Sequence, residues 1–91
     1  MSVYVDHMRA RFGRMVMCHM VADSEAELHE MADRIGVARR WFQTGSVLPH
    51  YDVCLAKRAL AVRFGAAEIG RAELVAMIRT RRLSLRAAAD A

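Results

Sequence analysis

The sequence contains few of the residues and runs that define several large protein classes. It has two cysteines, Cys18 and Cys54, and a single proline. Two cysteines that do not form a C-x-x-C pair are too few for a disulfide scaffold, so we expect a protein of a reduced, cytoplasmic compartment. No apolar run approaches the roughly 18–20 residues that a membrane span needs, and no charged leader precedes an apolar stretch. These absences argue against a secreted or membrane-spanning protein.

Sequence motifs that would name a reaction are also missing. There is no Gly-rich phosphate loop, nucleophile elbow or cysteine–histidine zinc pattern. The composition is 55% hydrophobic and 26% charged over 91 residues, which is typical of one small folded domain. We expect this domain to span residues 1–83, with a flexible, basic and alanine-rich tail over residues 84–91. Function must therefore be inferred from where individual polar residues fall.

The positive charge is concentrated near the end of the chain. The formal net charge is +4, yet residues 1–78 hold ten basic and nine acidic side chains, a balance of only +1. Such a basic segment is either a solvated helix end or a surface that contacts phosphate groups. The arginines that make up this excess are Arg79, Arg81, Arg82 and Arg86.

Helix signals are strongest in the first third of the chain. Ser24 and Glu27 form a capping box, apolar residues then recur at spacings of three and four, and Gly36 can end the helix. We predict a second helix from about Asp52, as its N-cap, to Phe64, and a third over about residues 71–82.

Strand signals alternate with these helices. Four short segments are apolar or rich in β-branched and aromatic residues, and they cover residues 3–5, 15–21, 37–43 and 67–69. Alternating strands and helices predict an α/β fold, here a small three- to four-stranded, mainly parallel or mixed sheet with three helices.

Polar residues follow several of the predicted strands. Asp6 follows the first strand, His19 lies near the end of the second, and Asp52 follows the third. In open α/β sheets ligands bind beyond the carboxyl ends of the strands. We therefore predict these three residues as acid–base groups and as ligands of a divalent metal ion, Mg²⁺ or Mn²⁺. The alternatives are a turn aspartate, a core histidine and a helix cap, respectively.

A second group of residues has the character of a phosphate site. The start of the second predicted helix offers free amide groups and a favourable dipole for an anion. Arginine beside tryptophan can stack a base and hold a phosphate. The alternative is a capped helix with solvated cations, and a tryptophan that belongs to the core or its rim. The predicted binding residues are Arg40, Trp41, His50, Tyr51, Lys57 and Arg58.

The order of short motifs resembles that of a known family. The motifs are VYVD, CHM, AD, ELH, RIG, RRWFQ, HYD, KR and GA, spread over about residues 2–70. This series is similar to that of a family of small proteins from bacteria and their viruses that is characterised only as a domain of unknown function. The family's motif residues coincide with the polar cluster inferred above, which favours a site over a set of helix caps.

Two functions remain open at this point. The first is a phosphate- or nucleotide-binding domain, with metal-dependent phosphoester hydrolysis as its reaction. The second is a non-catalytic interaction or ligand-sequestering module that binds nucleic acid, a nucleotide or an acidic protein surface, the macromolecular partners through the basic tail. Because so short a chain has little room for a pocket, we also expect a homodimer in which loop 44–49 of a neighbour completes the site.

Overall fold

A six-stranded mixed sheet and three helices make up the computed structural model, which describes residues 2–90. This confirms the α/β class, the mixed sheet and the three predicted helices, but the sheet has six strands rather than three or four. The strands are β1 (Val3–Val5), β2 (Ala10–Phe12), β3 (Met15–Ala22), β4 (Phe42–Gln43), β5 (His50–Cys54) and β6 (Ala67–Glu68). The helices are α1 (Glu25–Ile35), α2 (Leu55–Arg63) and α3 (Arg71–Asp90). None of the helices in residues 2–90 is long and apolar enough to cross a membrane.

The pairing within the sheet is mostly antiparallel. The strand order is β4-β5-β3-β1-β6, and β2 pairs with β3 outside this path. β3 runs antiparallel to both β1 and β5, whereas β1 and β6 are parallel. A mainly parallel sheet, the other expectation, is therefore not what forms. The reason is that the β2–β3 hairpin turns the chain back along β1, through a two-residue turn in which Gly13 has φ 60°.

The middle of the chain differs from the sequence prediction. Residues 37–43 form a 3₁₀ turn at Arg39–Trp41 and only two residues of strand, rather than one continuous strand. Asp52 lies inside β5 and is not a helix cap, so α2 begins at Leu55. The alternation of polar and apolar side chains in HYDVC has the period of two that suits a strand.

Alternate residues of β3 and β5 face opposite sides of the sheet. Met20, Tyr51 and Val53 are buried in the core between the sheet and helices α1 and α2. His19 and Asp52, which alternate with them, face the other side. This alternation separates the hydrophobic core from the polar groups described below.

Helix α1 forms as its capping signals predict. The Ser24 Oγ atom accepts a hydrogen bond from the Glu27 backbone N–H at 3.2 Å. At the other end Gly36 adopts a left-handed conformation with φ 79°, and its N–H bonds to carbonyls of the last turn. The residues buried against the sheet are Leu28, Met31, Ala32 and Ile35.

Helix α3 lies over the sheet face that does not carry the main core. Leu74 and Ile78 line a cavity together with Val21 of β3, but no residue of α3 is fully buried. The helix continues to Asp90, so the structure has helix where the sequence predicted a flexible tail from residue 84.

Candidate metal centre

His19 is held by a buried aspartate. Asp6 is only 4% exposed, and its Oδ2 atom lies 2.7 Å from His19 Nδ1. The other oxygen, Oδ1, accepts the backbone N–H groups of His19 at 2.7 Å and of Met8 at 3.2 Å. Because an ionised carboxylate can only accept hydrogen bonds, Nδ1 of His19 carries the hydrogen. In the neutral ring, Nε2 of His19 then has a free lone pair on the opposite side.

His50 is fixed in the same tautomer by a different acceptor. Its Nδ1 atom lies 3.0 Å from the Leu48 carbonyl oxygen and 3.2 Å from Ser46 Oγ. A carbonyl oxygen can only accept, so Nδ1 of His50 donates and Nε2 is the unprotonated nitrogen. The two imidazole rings meet edge to face, with their centroids 5.0 Å apart.

Asp52 faces both imidazoles with an oxygen that has no partner. Its Oδ2 atom accepts a hydrogen bond from Gln43 Nε2 at 2.8 Å. Its Oδ1 atom is buried and makes no hydrogen bond. That oxygen lies 3.9 Å from His19 Nε2 and 3.6 Å from His50 Nε2, both beyond hydrogen-bonding distance. A buried polar atom left in this way costs free energy unless something else satisfies it.

The three candidate ligand atoms lie close enough together to surround one metal ion. We call His19, His50 and Asp52 the His–Asp cluster; its candidate ligand atoms all lie within 4.8 Å of one another. Two ligands about 2.1 Å from a tetrahedral ion are roughly 3.4 Å apart. The two distances to Oδ1, 3.6 and 3.9 Å, exceed this value, so the two nitrogens and Oδ1 would have to move inward to bind one ion together. The hydrogen bonds to Asp6, Leu48 and Gln43 fix the orientation of these side chains, and contacts of this kind orient metal ligands in proteins.

A cavity of about 210 Å³ opens beside the two histidines. Its walls come from β3, β5, α3 and the loop before β5. The lining residues are His19, Val21, Ser46, Val47, Leu48, His50, Leu74, Ile78 and Arg82. Because the chain's own residues 46–48 line this cavity, the site has walls without a neighbouring copy, and the homodimer remains a prediction.

A family comparison covers the whole cluster. The sequence profile of a family described as protein of unknown function DUF4031 matches residues 3–81. The chain belongs to this family. The resemblance inferred from the motif series is thereby confirmed, and the DUF4031 segment includes Asp6 and the His–Asp cluster. No curated protein and no solved structure matches the chain.

Of the three metal ligands predicted for this DUF4031 domain, two lie together in the structure and the third does not. His19 and Asp52 do face one another, as expected for ligands. Asp6 lies behind His19 with both carboxylate oxygens already hydrogen-bonded. His50, predicted as a phosphate-binding residue, is the third member of the His–Asp cluster instead.

Two of the three predicted cationic phosphate ligands, Lys57 and Arg58, lie elsewhere. Arg58 donates to the Asp6 carbonyl oxygen at 2.9 Å and to Glu68 Oε1 at 3.0 Å, and so anchors the end of β1. Lys57 lies beside the C-terminal end of α1, where a methyl group added at Gly36 would be 3.2 Å from its Nζ atom. The structure therefore does not bring either cation to the His–Asp cluster.

The predicted aromatic contacts also lie outside the cluster. Tyr51 is fully buried on the core face, its hydroxyl 2.7 Å from His29 Nδ1, and burial raises the pKa of this hydroxyl. Trp41 is 56% exposed, with the Arg40 guanidinium 5.3 Å from its ring centroid. These two form a cation–π pair on the surface.

Sequence reasoning missed three groups at this site. Gln43 orients Asp52, the Leu48 carbonyl orients His50, and Arg82 lines the cavity. Gln43 reaches Asp52 because β4 pairs with β5, which spacing along the chain does not reveal. A backbone carbonyl leaves no signal in the sequence, and Arg82 was grouped with the basic tail.

Proposed function

We propose that this DUF4031 domain binds a divalent transition-metal ion through His19 Nε2, His50 Nε2 and Asp52 Oδ1, and uses it to hydrolyse a phosphate ester. The observation that supports this most directly is the buried, unpartnered Oδ1 of Asp52, which faces two imidazole nitrogens. Each of those nitrogens has its lone pair free because the other ring nitrogen already donates. A cation placed between these three lone pairs would stabilise all of them at once.

The donor set favours some metals over others. Two imidazoles and one carboxylate suit Zn²⁺, Mn²⁺ or Fe²⁺, whereas Mg²⁺ prefers oxygen ligands. Of the two metals expected from the sequence, the proposal therefore retains Mn²⁺ and adds Zn²⁺. Three protein ligands leave at least one coordination position open, as in catalytic rather than structural sites.

The chemistry assigned to the site follows from this arrangement. A divalent cation supplies Lewis acidity towards a phosphoryl oxygen and towards water. His19 and Asp52 act as ligands in this proposal rather than as acid–base groups, and Asp6 holds His19 in place. The basic character of α3, with the exposed Arg82 at the cavity, supports an anionic substrate.

Isothermal titration calorimetry with Mn²⁺ and Zn²⁺ tests the metal site. We expect one ion per chain, and an Asp52→Asn variant should bind at least 100-fold more weakly, more than the 10–100-fold loss typical of an outer-shell change. Asp33→Asn is the matched control, because Asp33 is an exposed carboxylate whose one ion pair is 3.9 Å long. Equal affinity in wild type and Asp52→Asn would overturn the site.

Turnover of p-nitrophenyl phosphate by the metal-loaded protein tests the reaction. We expect hydrolysis that chelation removes and that Asp52→Asn abolishes. Metal binding without turnover would leave a domain that binds a metal and sequesters a ligand, which is the non-catalytic alternative.

A further inference from the structure

Arg82 is the one cationic side chain among the residues that line the cavity beside the His–Asp cluster. It lies on α3, one helical turn beyond Ile78 and two beyond Leu74, so these three residues share the helix face that looks onto the sheet. Within residues 2–90 the Arg82 guanidinium makes no ion pair and no hydrogen bond. Its planar set of donors is therefore available to an occupant of the cavity.

The rest of the cavity wall is mostly apolar. Val21, Val47 and Leu48 face Leu74 and Ile78 across it, and polar groups come chiefly from the histidines and Arg82. Arg82 itself is exposed, so an anion in the cavity would meet a guanidinium that is still in contact with water. Arginine matches phosphate oxygens in a bidentate geometry that lysine cannot reproduce.

The size of the cavity limits what can enter. Its volume of about 210 Å³ is below the 300–1,000 Å³ that is typical of pockets for drug-sized ligands. One phosphate group and a short apolar substituent fit this space more readily than a complete nucleotide. The cavity therefore favours a small phosphate compound over the nucleotide that the sequence suggests.

We propose that Arg82 is the anion-binding residue of the site and that the substrate is a phosphomonoester whose phosphate lies between Arg82 and the His–Asp cluster, with a small apolar group against Leu74 and Ile78. This inference rests on the proposed metal site. It assigns to α3 a direct part in substrate binding, although Arg82 falls just beyond the segment matched by the family.

Kinetics with p-nitrophenyl phosphate and binding of inorganic phosphate to the Mn²⁺-loaded protein test Arg82. In Arg82→Ala we expect KM and the phosphate Kd to rise at least tenfold while the Mn²⁺ affinity stays within twofold of wild type. Arg82→Lys should restore only part of the loss, because an ammonium group cannot bind in a bidentate manner. Arg79→Ala, on the same helix but outside the cavity lining, should behave as wild type.

The possible failures can be told apart. Unchanged phosphate affinity in Arg82→Ala, with Mn²⁺ still bound, would overturn the role of Arg82 and leave the metal site standing. Failure of the wild-type chain to bind metal would overturn the proposed function and this inference with it. Adenosine monophosphate should bind no more tightly than inorganic phosphate; tenfold tighter binding would overturn the small-substrate assignment.

Discussion

His19 shows how one hydrogen bond determines which face of an imidazole is free for chemistry. Asp6 lies at the end of β1, opposite His19 in the ladder, where its backbone N–H also donates to the His19 carbonyl oxygen at 3.1 Å. The carboxylate therefore positions both the backbone and the ring of His19. In the proposed metal site Asp6 is a positioning residue, and replacing it should weaken metal binding while the protein remains folded.

Replacing Asp6 by asparagine tests this positioning role. Asparagine keeps one acceptor oxygen, so it can satisfy the His19 backbone N–H or the ring N–H, but not both. We expect a 10–100-fold weaker Mn²⁺ affinity, the range typical of outer-shell substitutions. Calorimetry measures the affinity, and thermal unfolding without metal shows whether the variant is folded.

A structural role alone would give a different pattern. If Asp6→Asn lowered the unfolding temperature but left the Mn²⁺ affinity of the folded protein unchanged, the positioning role would be wrong.

At the residue scale the sequence selected four residues that the structure brings close together, but not the contacts that each of them makes. The sequence points to Asp6, His19 and Asp52 as residues at predicted strand ends, and to His50 as a residue at a predicted helix start. Whether an aspartate binds a metal or binds the histidine behind it depends on a few ångströms of placement across strands. Residue types and spacing do not contain that information.

At the scale of elements, α1 was predictable because its signals are local. The capping box, the apolar spacing and Gly36 all act within one stretch of chain. The 3₁₀ turn and the short β4 were not predictable, because β4 is defined by its pairing with β5. In the sequence the polar residues of β5 resemble a helix start. Only their pairing with neighbouring strands shows that they belong to the sheet.

Gly36→Ala tests the C-terminal end of α1. The φ of 79° places Gly36 in the left-handed region, which costs an L-residue roughly 1–2 kcal/mol. We expect destabilisation of that order, with the added methyl group also 3.2 Å from the mobile end of Lys57. Chemical denaturation measures the free energy of unfolding.

Gly45→Ala is the matched control for that change. Gly45 has no positive φ, and an added methyl group would meet nothing within 4 Å. Its free energy of unfolding should stay within about 0.5 kcal/mol of wild type, as for most surface substitutions. An equal loss in both variants would contradict the assignment of strain to Gly36.

At the scale of the whole molecule, the site forms for a reason other than the one expected. Parallel strands would have brought their carboxyl ends to one edge. Instead β3 runs antiparallel to β1, and its middle rather than its end lies opposite Asp6. Asp23, near the true end of β3, lies at the far side and bonds to Ser2 and Tyr4. Strand direction depends on long-range pairing, which the sequence pattern left undetermined.

The placement of α3 also changes how the two candidate functions can be separated. Deleting residues 79–91 would remove both the basic surface and Arg82, so it cannot distinguish them. A variant with alanine at Arg79, Arg81 and Arg86 can, because none of these residues lines the cavity beside the cluster. We expect it to retain the wild-type KM for p-nitrophenyl phosphate within about twofold.

Binding of duplex DNA measured against salt completes that comparison. If α3 bound nucleic acid, the logarithm of the wild-type affinity would fall linearly with the logarithm of the salt concentration. In the triple variant the magnitude of this slope would be smaller by about 0.9 for each phosphate contact that is lost. A triple variant that loses phosphatase activity while Arg82→Ala retains it would contradict the arrangement proposed here.

The alternation along β3 and β5 has a genetic consequence. Cys18 and Met20 lie on one face of the sheet and His19 lies on the other. Residues that pack in the core can therefore be substituted independently of residues on the polar face. An insertion or deletion of one residue within β3 would instead move every following side chain of the strand to the opposite face of the sheet. Point substitutions on the polar face can therefore change the candidate site while the fold is kept. Changes in the length of β3 would disrupt the core and the candidate site at the same time.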